Sequence, residues 1–368
     1  MSMRPLLPLL RTGQVLKGRR SAYTIVTELE RCTEGSAVYL ARNQKNEKCI
    51  VKSIRGPPSI LLRNAAENIK RYQAKTSFIR PLIDEIQEPT EPTSIVLRHL
   101  DSHLMVESRT ATLTRPEIKQ VARCILESLQ MLHKDGLVHT NVMLDNILVN
   151  HGRGSLRFSE VQLGGFTTAS FQDSTFAKKG YPVGAYDTGS PEVRLGLPWG
   201  TPTDVWSFGN AILNLVHGNG YNYFDPRWEG IELGDQEFKY TILKRMYDLV
   251  GPFPQSMAEI VSPKVFGILQ FYNEEGPPQR PLQQWRENSI PTADKEFIGR
   301  ILKLDPRDRP TVEEILQDEW FTEESIDTRE PGQAYWNRKE RKRGEGGPGR
   351  KISISEVLGG LMMGILGD

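Results

Sequence analysis

The sequence predicts an α+β fold in which a strand-rich first part is followed by a mainly helical second part. Between residues 23 and 100, short β-branched or apolar runs are separated by turn-forming stretches. From Thr114 onwards, apolar residues recur at the spacing of helices. Because strands come first and helices later along the chain, we expect an α+β fold with segregated layers or lobes.

The first part is expected to hold several strands and one helix. The strands are predicted for SAYTIVTEL, SAVYLAR, KCIVKSI and SIVLRHL, and the helix for SILLRNAAENIKRYQ. Residues 1–22 are assigned to an N-terminal extension, which holds five basic and no acidic residues. A transit peptide is the weaker interpretation of this segment, because Pro8 interrupts its apolar run and the chain continues directly into a strand.

The second part begins with an amphipathic helix. Thr114 and Glu117 have the spacing of a capping box at its start, and Gly136 is expected to end it. The run DVWSFGNAILNLVHG is apolar nearly all round, which predicts a helix buried in the centre of a large lobe. A last helix is predicted for TVEEILQDEWF.

Composition excludes several classes of protein. The 368 residues carry a net charge of +1, which gives no reason to expect specific binding of nucleic acid or of an anionic membrane. No apolar run approaches the roughly 20 residues that span a bilayer. The three cysteines have neither paired nor metal-binding spacing, so we expect a reducing compartment, cytoplasmic or nuclear.

Residues 324–368 are expected to form a tail outside the folded part. The stretch WNRKERKRGEGGPGRK is basic and glycine-rich, which is typical of a disordered linker. Its basic cluster, Arg338–Arg343, is interpreted as a solvated charge run or, less favoured, as a nuclear localisation or polyanion-binding patch. The following SEVLGGLMMGILG is a short apolar segment.

Short motifs in a fixed order resemble the signature of eukaryotic protein kinases. VHTNVMLDNILV resembles the catalytic loop, VYLAR followed by IVK the second and third strands, IVLRHLDSHL the linker between lobes, and SPE the end of the activation segment. DVWSFG and LDPRDRPT resemble the central helix and the closing arginine motif. The details are similar to fungal serine/threonine kinase-like proteins near the SR-protein kinases. The resemblance implies a two-lobed fold, with a small lobe at 23–100 and a large lobe at 101–323.

The resemblance also implies a nucleotide site in the cleft between the lobes. Lys52 stands at the position of the phosphate-binding lysine. The implied apolar walls are Val38, Ile50, Leu97, Leu100 and Leu148. Ile50 replaces a small residue and is expected to narrow the adenine pocket. ATP and Mg²⁺ are the implied cofactors.

Five positions that hold the kinase fold together carry matching residues. They are His139, Phe166, Glu192, Asp204 and Arg309. Glu192 and Arg309 are expected to form a buried bidentate ion pair, and Asp204 to accept backbone hydrogen bonds from the catalytic loop. His139 and Phe166 are expected to stack with Ile69 as an internal connection between the lobes.

The residues that would carry phosphoryl transfer are substituted. Asn141 stands at the position of the catalytic aspartate, and an amide takes no proton near neutral pH. Losing a general base typically costs roughly 10²–10⁴-fold in rate. Gly165 stands at the position of the metal-binding aspartate and has no side chain to ligate Mg²⁺. Asn146 is then the remaining residue that matches a metal ligand.

Other positions around the cleft depart from the kinase pattern as well. Met143 replaces a lysine of the catalytic loop, and Thr140 replaces the arginine that pairs with a phosphorylated activation loop. The glycine positions of the phosphate-covering loop hold Arg31, Thr33 and Ser36. Arg31 either contacts phosphate or, the favoured interpretation, is a solvated arginine.

Three acidic side chains are considered as replacements and are not favoured. The glutamate partner of Lys52 is expected to be replaced by Ala65, with Glu67 facing away, although a shift in register is left open. Asp145 is expected to be an ordinary exposed acid, and Glu160 is not expected to reach a metal ion.

These substitutions predict a pseudokinase, a kinase-shaped module that binds a protein partner and binds ATP weakly or not at all. The alternative is an active serine/threonine kinase that transfers the γ-phosphoryl group of ATP to protein hydroxyls. A relic without a retained role also stays open, whereas a small-molecule phosphotransferase is less favoured because it needs the same missing aspartates.

Overall fold

The computed structural model describes residues 9–323 except 34, 236, 275 and 286–289. It confirms the α+β class with a strand-rich small lobe followed by a larger, mainly helical lobe. The tail and its basic cluster lie outside the described residues. Among the described helices, none combines the length and the apolar composition needed to cross a bilayer.

The small lobe is built on a closed barrel with the strand order β1-β2-β3-β4-β6-β5. Its strands are β1 (Val15–Gly18), β2 (Ala22–Thr33), β3 (Ser36–Asn43), β4 (Lys48–Ile54), β5 (Leu82–Glu88) and β6 (Thr93–Arg98). Helix α1 (Ser59–Gln73) has the predicted bounds. It packs against the barrel with one buried face, which the apolar residues Leu62, Ala66 and Ile69 supply.

Strand β1 lies within the segment that the sequence assigned to an N-terminal extension. It pairs with β2 and β5, so it closes the barrel. The buried Asp84 carboxylate holds the following turn, because it accepts hydrogen bonds from the backbone N–H groups of Arg19, Arg20 and Ser21. A Cβ atom at Gly18 would lie 2.3 Å from Asp84 Oδ2, so glycine is needed there. The folded small lobe therefore begins before residue 23.

The large lobe is mainly helical and, within the described residues, also carries one three-stranded and one two-stranded sheet. Its helices are α2 (Leu104–Thr110), α3 (Arg115–His133), α4 (Thr175–Lys178), α5 (Pro191–Arg194), α6 (Pro202–His217), α7 (Glu237–Val250), α8 (Pro263–Glu274), α9 (Thr292–Ile301) and α10 (Val312–Leu316). Its strands are β7 (Ser102–His103), β8 (Leu137–Val138), β9 (Ile147–His151), β10 (Phe158–Leu163) and β11 (Ser170–Phe171).

Local sequence signals explain two of these helices, and a third is shorter than predicted. The capping box at Thr114 and Glu117 is present at the start of α3, and α6 is buried along nearly its whole length. The predicted last helix is divided, because α10 ends at Leu316 and a separate 3₁₀ turn covers Glu319–Phe321. Asp318 caps that turn by accepting a hydrogen bond from the backbone N–H of Trp320, which favours a new start over continuation.

Two buried polar contacts tie the large lobe together as expected. Arg309 donates two hydrogen bonds of 2.8 Å to the two carboxylate oxygens of Glu192. It also donates to the carbonyl oxygens of Pro202, Lys303 and Leu304. Asp204 accepts hydrogen bonds of 2.7 Å from the backbone N–H groups of both His139 and Thr140. Every charge in these contacts is paired in a site that excludes water.

Candidate active site in the cleft between the lobes

The cleft is lined by the apolar side chains that the sequence indicated. On β3 and β4, Val38 lies opposite Lys52, and Ile50 lies opposite Leu97 of β6. Ile50, Leu97 and Leu100 are buried, whereas Val38 and Leu148 are half-buried. Ile50 and Leu97 belong to the buried core that continues into the large lobe, Val38 packs against that core, and Leu148 lies on β9 of the large lobe.

Lys52 reaches across the cleft to a hydroxyl group. Its Nζ donates a hydrogen bond of 2.6 Å to Oγ1 of Thr167, just after Phe166. Ala65 is buried on α1, and Glu67 instead pairs with Lys70 on the surface of the same helix. No carboxylate of the described chain lies within ion-pair distance of Lys52. Burial, only partly offset by nearby acidic groups, lowers the pKa of Lys52 to about 8.

The side chain of Asn146 fills the space that a residue larger than glycine would need at position 165. Gly165 has a φ of +85°, and a Cβ atom added there would lie 2.4 Å from Asn146 Cγ. The Asn146 amide donates a hydrogen bond of 2.9 Å to the carbonyl oxygen of Asn141. The Asn146 side chain therefore excludes a side chain at position 165, an arrangement called here the interlock of Asn146 with Gly165. Neither residue presents a carboxylate to a metal ion.

These residues do not fit Mg²⁺, which prefers several oxygen ligands that include carboxylates. In the part of the chain that the structure describes, no group of three or more His, Cys, Asp or Glu residues could hold a metal ion. Glu160 is engaged elsewhere, since it forms a bidentate pair with Arg98 at 2.9 and 2.8 Å.

The catalytic loop is held in place by backbone contacts around Asn141. The backbone N–H of Asn141 donates a hydrogen bond of 3.3 Å to His139 Nδ1. The His139 ring contacts the Phe166 ring edge to face, with ring centroids 4.8 Å apart. Ile69 and Phe166 belong to one buried apolar core, whereas the direct stacking of Ile69 with His139 stays a prediction. The side-chain oxygen of Asn141 is buried, and no hydrogen-bond partner for it occurs among the described residues.

The substituted loop positions have taken up packing roles. Met143 is buried at the position of the expected lysine. Thr140 has a φ of +67° and donates a hydrogen bond of 3.0 Å from its hydroxyl to the carbonyl oxygen of Thr168. Arg31 pairs with Glu28 on the same strand, with Nε 2.9 Å from the carboxylate, so it is neither a phosphate contact nor a purely solvated side chain here.

Asp145 is not the ordinary exposed acid that the sequence suggested. One of its oxygens is buried and has no hydrogen-bond partner within the described chain. It borders a cavity of about 10 Å³ that is also lined by Asp187 and Asn214. Burial, followed by the charge of Asp187, raises the pKa of Asp145 to about 6. The short 3₁₀ turn at Leu144–Asn146 directs this carboxylate inward.

Arg80 is a cleft residue that the sequence analysis missed. It lies just before β5 and donates a hydrogen bond of 2.8 Å from Nε to the carbonyl oxygen of Arg98 in the linker between the lobes. Burial lowers the pKa of Arg80 to about 10. A single arginine inside the apolar run FIRPLI was the available signal.

The comparisons with known proteins agree with this geometry. A family model described as "Protein kinase domain" matches residues 33–321. The chain belongs to the protein kinase domain family. The predicted superfamily is thereby confirmed, whereas the narrower likeness to fungal relatives near the SR-protein kinases stays a prediction.

Several curated kinases are similar to this chain at low identity. The serine/threonine-protein kinase US3 of human herpesvirus 1 is 28% identical over 65% of this chain and 48% of its own length. The CTD kinase subunit alpha of Schizosaccharomyces pombe is 28% identical over 58% of this chain and 33% of its own length. The dual specificity tyrosine-phosphorylation-regulated kinase 3 of Mus musculus is 26% identical over 56% of this chain and 36% of its own length. The chain spans at most about half the length of these relatives.

Proposed function

We propose that this kinase domain is a pseudokinase that acts as a binding or allosteric module for a protein partner. Protein kinase domains in general use ATP and Mg²⁺ to phosphorylate proteins, and this chain retains their frame. Phosphoryl transfer depends on metal ions that neutralise charge and on a carboxylate that orients or deprotonates the attacking hydroxyl. Asn141 and Gly165 supply neither.

The observation that carries this proposal is the interlock of Asn146 with Gly165. A lost aspartate could be replaced by a neighbouring acid that moves into the same space. Here that space is taken by an amide that is bonded to the Asn141 carbonyl oxygen. Glu160, the nearest acid considered from the sequence, is held by Arg98. The binding of Mg²⁺, and of ATP in its usual metal complex, is therefore expected to be weak or absent.

A radiolabelled phosphotransfer assay tests the proposal. The full chain is incubated with γ-labelled ATP and Mg²⁺, with itself and a generic basic protein as acceptors. Lys52→Ala, made in the same way, defines the background. We expect equal incorporation by the two proteins. Mg²⁺-dependent transfer that Lys52→Ala abolishes would show that the protein is an enzyme.

The second candidate is an active serine/threonine protein kinase. The similarity to proteins named as kinases favours it, as does the retention of Lys52 and Asn146. In that case Asn146 would hold a metal ion and Asn141 would orient the acceptor hydroxyl. An active kinase would show phosphoryl transfer that Asn146→Ala abolishes. A pseudokinase would show no phosphoryl transfer in either protein.

The proposed partner is a protein, with no role for a membrane or for specific nucleic acid binding.

The proposed compartment is the cytoplasm, the nucleus or both. Fractionation of cells that express the tagged chain, with and without residues 324–368, tests the location and the contribution of the basic cluster.

A further inference from the structure

Arg80 lies across the cleft at the level of the linker and of the Gly164–Gly165 turn. Its backbone N–H donates a hydrogen bond of 2.9 Å to the Leu163 carbonyl oxygen at the end of β10, which fixes the start of the side chain. Its Cδ lies 3.5 Å from the place where a Cβ of Gly164 would be, and its Nε is bonded to the Arg98 carbonyl. Its two outer guanidinium nitrogens make no hydrogen bond to another residue of the described chain.

Arg80 and Lys52 are two positive charges without a carboxylate of the described residues in direct contact, and Glu30 acts on Lys52 at longer range. Neither side chain lies within ion-pair distance of an Asp or Glu in the described part of the chain. The positive charge of Arg80 contributes to the lowered pKa of Lys52. Two positions that would have supplied negative charge, Ala65 on α1 and Gly165 on the opposite wall, carry none. Buried cations without a partner are unfavourable, so this arrangement favours an anionic ligand.

We propose that the cleft binds a phosphate-type oxyanion directly on Arg80 and Lys52, without a divalent metal ion. A guanidinium group donates two parallel hydrogen bonds to phosphate oxygens, and an ammonium group adds a compact charge. A metal ion would have no carboxylate to hold it and would face two cations. This inference goes beyond the proposed function, because it concerns what the cleft binds and not whether transfer occurs.

The geometry also indicates which part of a ligand is recognised. The Arg98 carbonyl oxygen is a hydrogen-bond acceptor in the linker, and Arg80 already occupies it. Ile50 and Leu97, which are paired across β4 and β6, are both buried next to this acceptor. A base therefore gains little at the linker, and recognition depends on the anion. Free polyphosphate and the phosphates of a nucleotide share this chemistry.

Calorimetric titrations in EDTA and in Mg²⁺, at one fixed ionic strength, test the proposal with tripolyphosphate, ATP and adenosine as ligands. We expect tripolyphosphate and ATP to bind in EDTA at least as tightly as in Mg²⁺, and adenosine to bind at least tenfold more weakly. Arg80→Val is expected to weaken tripolyphosphate binding at least tenfold. Arg63→Val, which removes an exposed arginine from α1, is the matched control and is expected to leave it unchanged.

A second variant separates loss of charge from loss of folding. Arg80→Gln retains a polar side chain near the Arg98 carbonyl and is expected to show the same loss of binding with a melting temperature close to that of the wild type. The proposal is overturned if the wild type binds only with Mg²⁺, binds no tripolyphosphate, or binds adenosine as tightly as ATP. It is also overturned if either Arg80 variant binds the ligands as tightly as the wild type or more tightly. Phosphotransfer measured on the same samples keeps the test of the proposed function separate.

Discussion

The Glu192–Arg309 pair in the core of the large lobe and the Lys52 side chain in the cleft differ in how their charges are paired. In the core, the Arg309 guanidinium is bonded to both oxygens of Glu192 and to backbone carbonyls. In the cleft, Lys52 has only a hydroxyl partner, and the Asn141 side-chain oxygen has no partner within the described chain. The buried pair contributes to stability because its charges are satisfied, whereas the cleft holds a cation that has no opposite charge in direct contact.

The largest effect is expected from removing one partner of the buried ion pair. Glu192→Ala leaves the Arg309 charge buried without its carboxylate, and we expect it to reduce the free energy of unfolding by about 3–5 kcal/mol. Glu67→Ala, which removes the acid from the exposed Glu67–Lys70 pair on α1, is the control and should cost about 1 kcal/mol or less. Urea denaturation measures both, and equal losses would contradict the special role of the buried pair.

The second prediction concerns the interlock in the cleft. Gly165→Asp adds a side chain at a positive φ and against Asn146, so we expect a loss of about 2–3 kcal/mol in the free energy of unfolding. Asn146→Gly, combined with Gly165→Asp, removes the steric clash and should restore part of the lost free energy of unfolding. A double-mutant cycle from denaturation data gives the coupling, and strict additivity would argue against the interlock.

The third prediction is a gain of stability on removing a cleft charge. The pKa of Lys52 falls from its ordinary value to about 8 in the folded protein. The folded state thus binds fewer protons than the unfolded state between about pH 8 and 10.5, and the stability of the wild type rises with pH over that window. Lys52→Met should therefore be more stable than the wild type by about 2 kcal/mol at pH 7, with the difference shrinking above pH 8.

Thermal and urea denaturation at pH 7 and at pH 10 measure this difference. Lys45→Met, at an exposed lysine in the β3–β4 turn, is the matched control and should show no such pH dependence. A less stable Lys52→Met protein at pH 7 would mean that the ammonium group is well paired.

The smallest expected effect comes from Asp145. Its pKa is raised to about 6, so the folded state binds more protons than the unfolded state between about pH 4 and 6, and wild-type stability falls as pH rises through that window. Asp145→Asn should be more stable by about 1 kcal/mol at pH 7.5 and equal to the wild type at pH 4. Asp101→Asn, at a half-exposed carboxylate, is the control, and a pH-independent difference would contradict this account.

Residues of the large-lobe frame were predictable because their motifs and spacing fix their contacts. Thr114 and Glu117 stand three residues apart, which specifies a capping box, and the apolar character of α6 specifies its burial. Asp145 and Arg80 were not predictable in the same way. A carboxylate in a short turn and an arginine before a strand look like surface residues, and only the packing of distant segments around them decides their surroundings.

By itself, the sequence determined the order of strands and helices, the protein kinase frame and the loss of two carboxylates from the cleft. Local spacing and residue type are enough for the order of elements, whereas the kinase frame and the two replaced carboxylates follow from the resemblance of the ordered motifs to the kinase signature. The tertiary structure alone decided that Asn146 occupies the space beside Gly165 and that Arg80 reaches the linker carbonyl next to Lys52. These contacts join residues that are far apart along the chain, so their geometry depends on how β5, β6, β10 and the catalytic loop pack against one another.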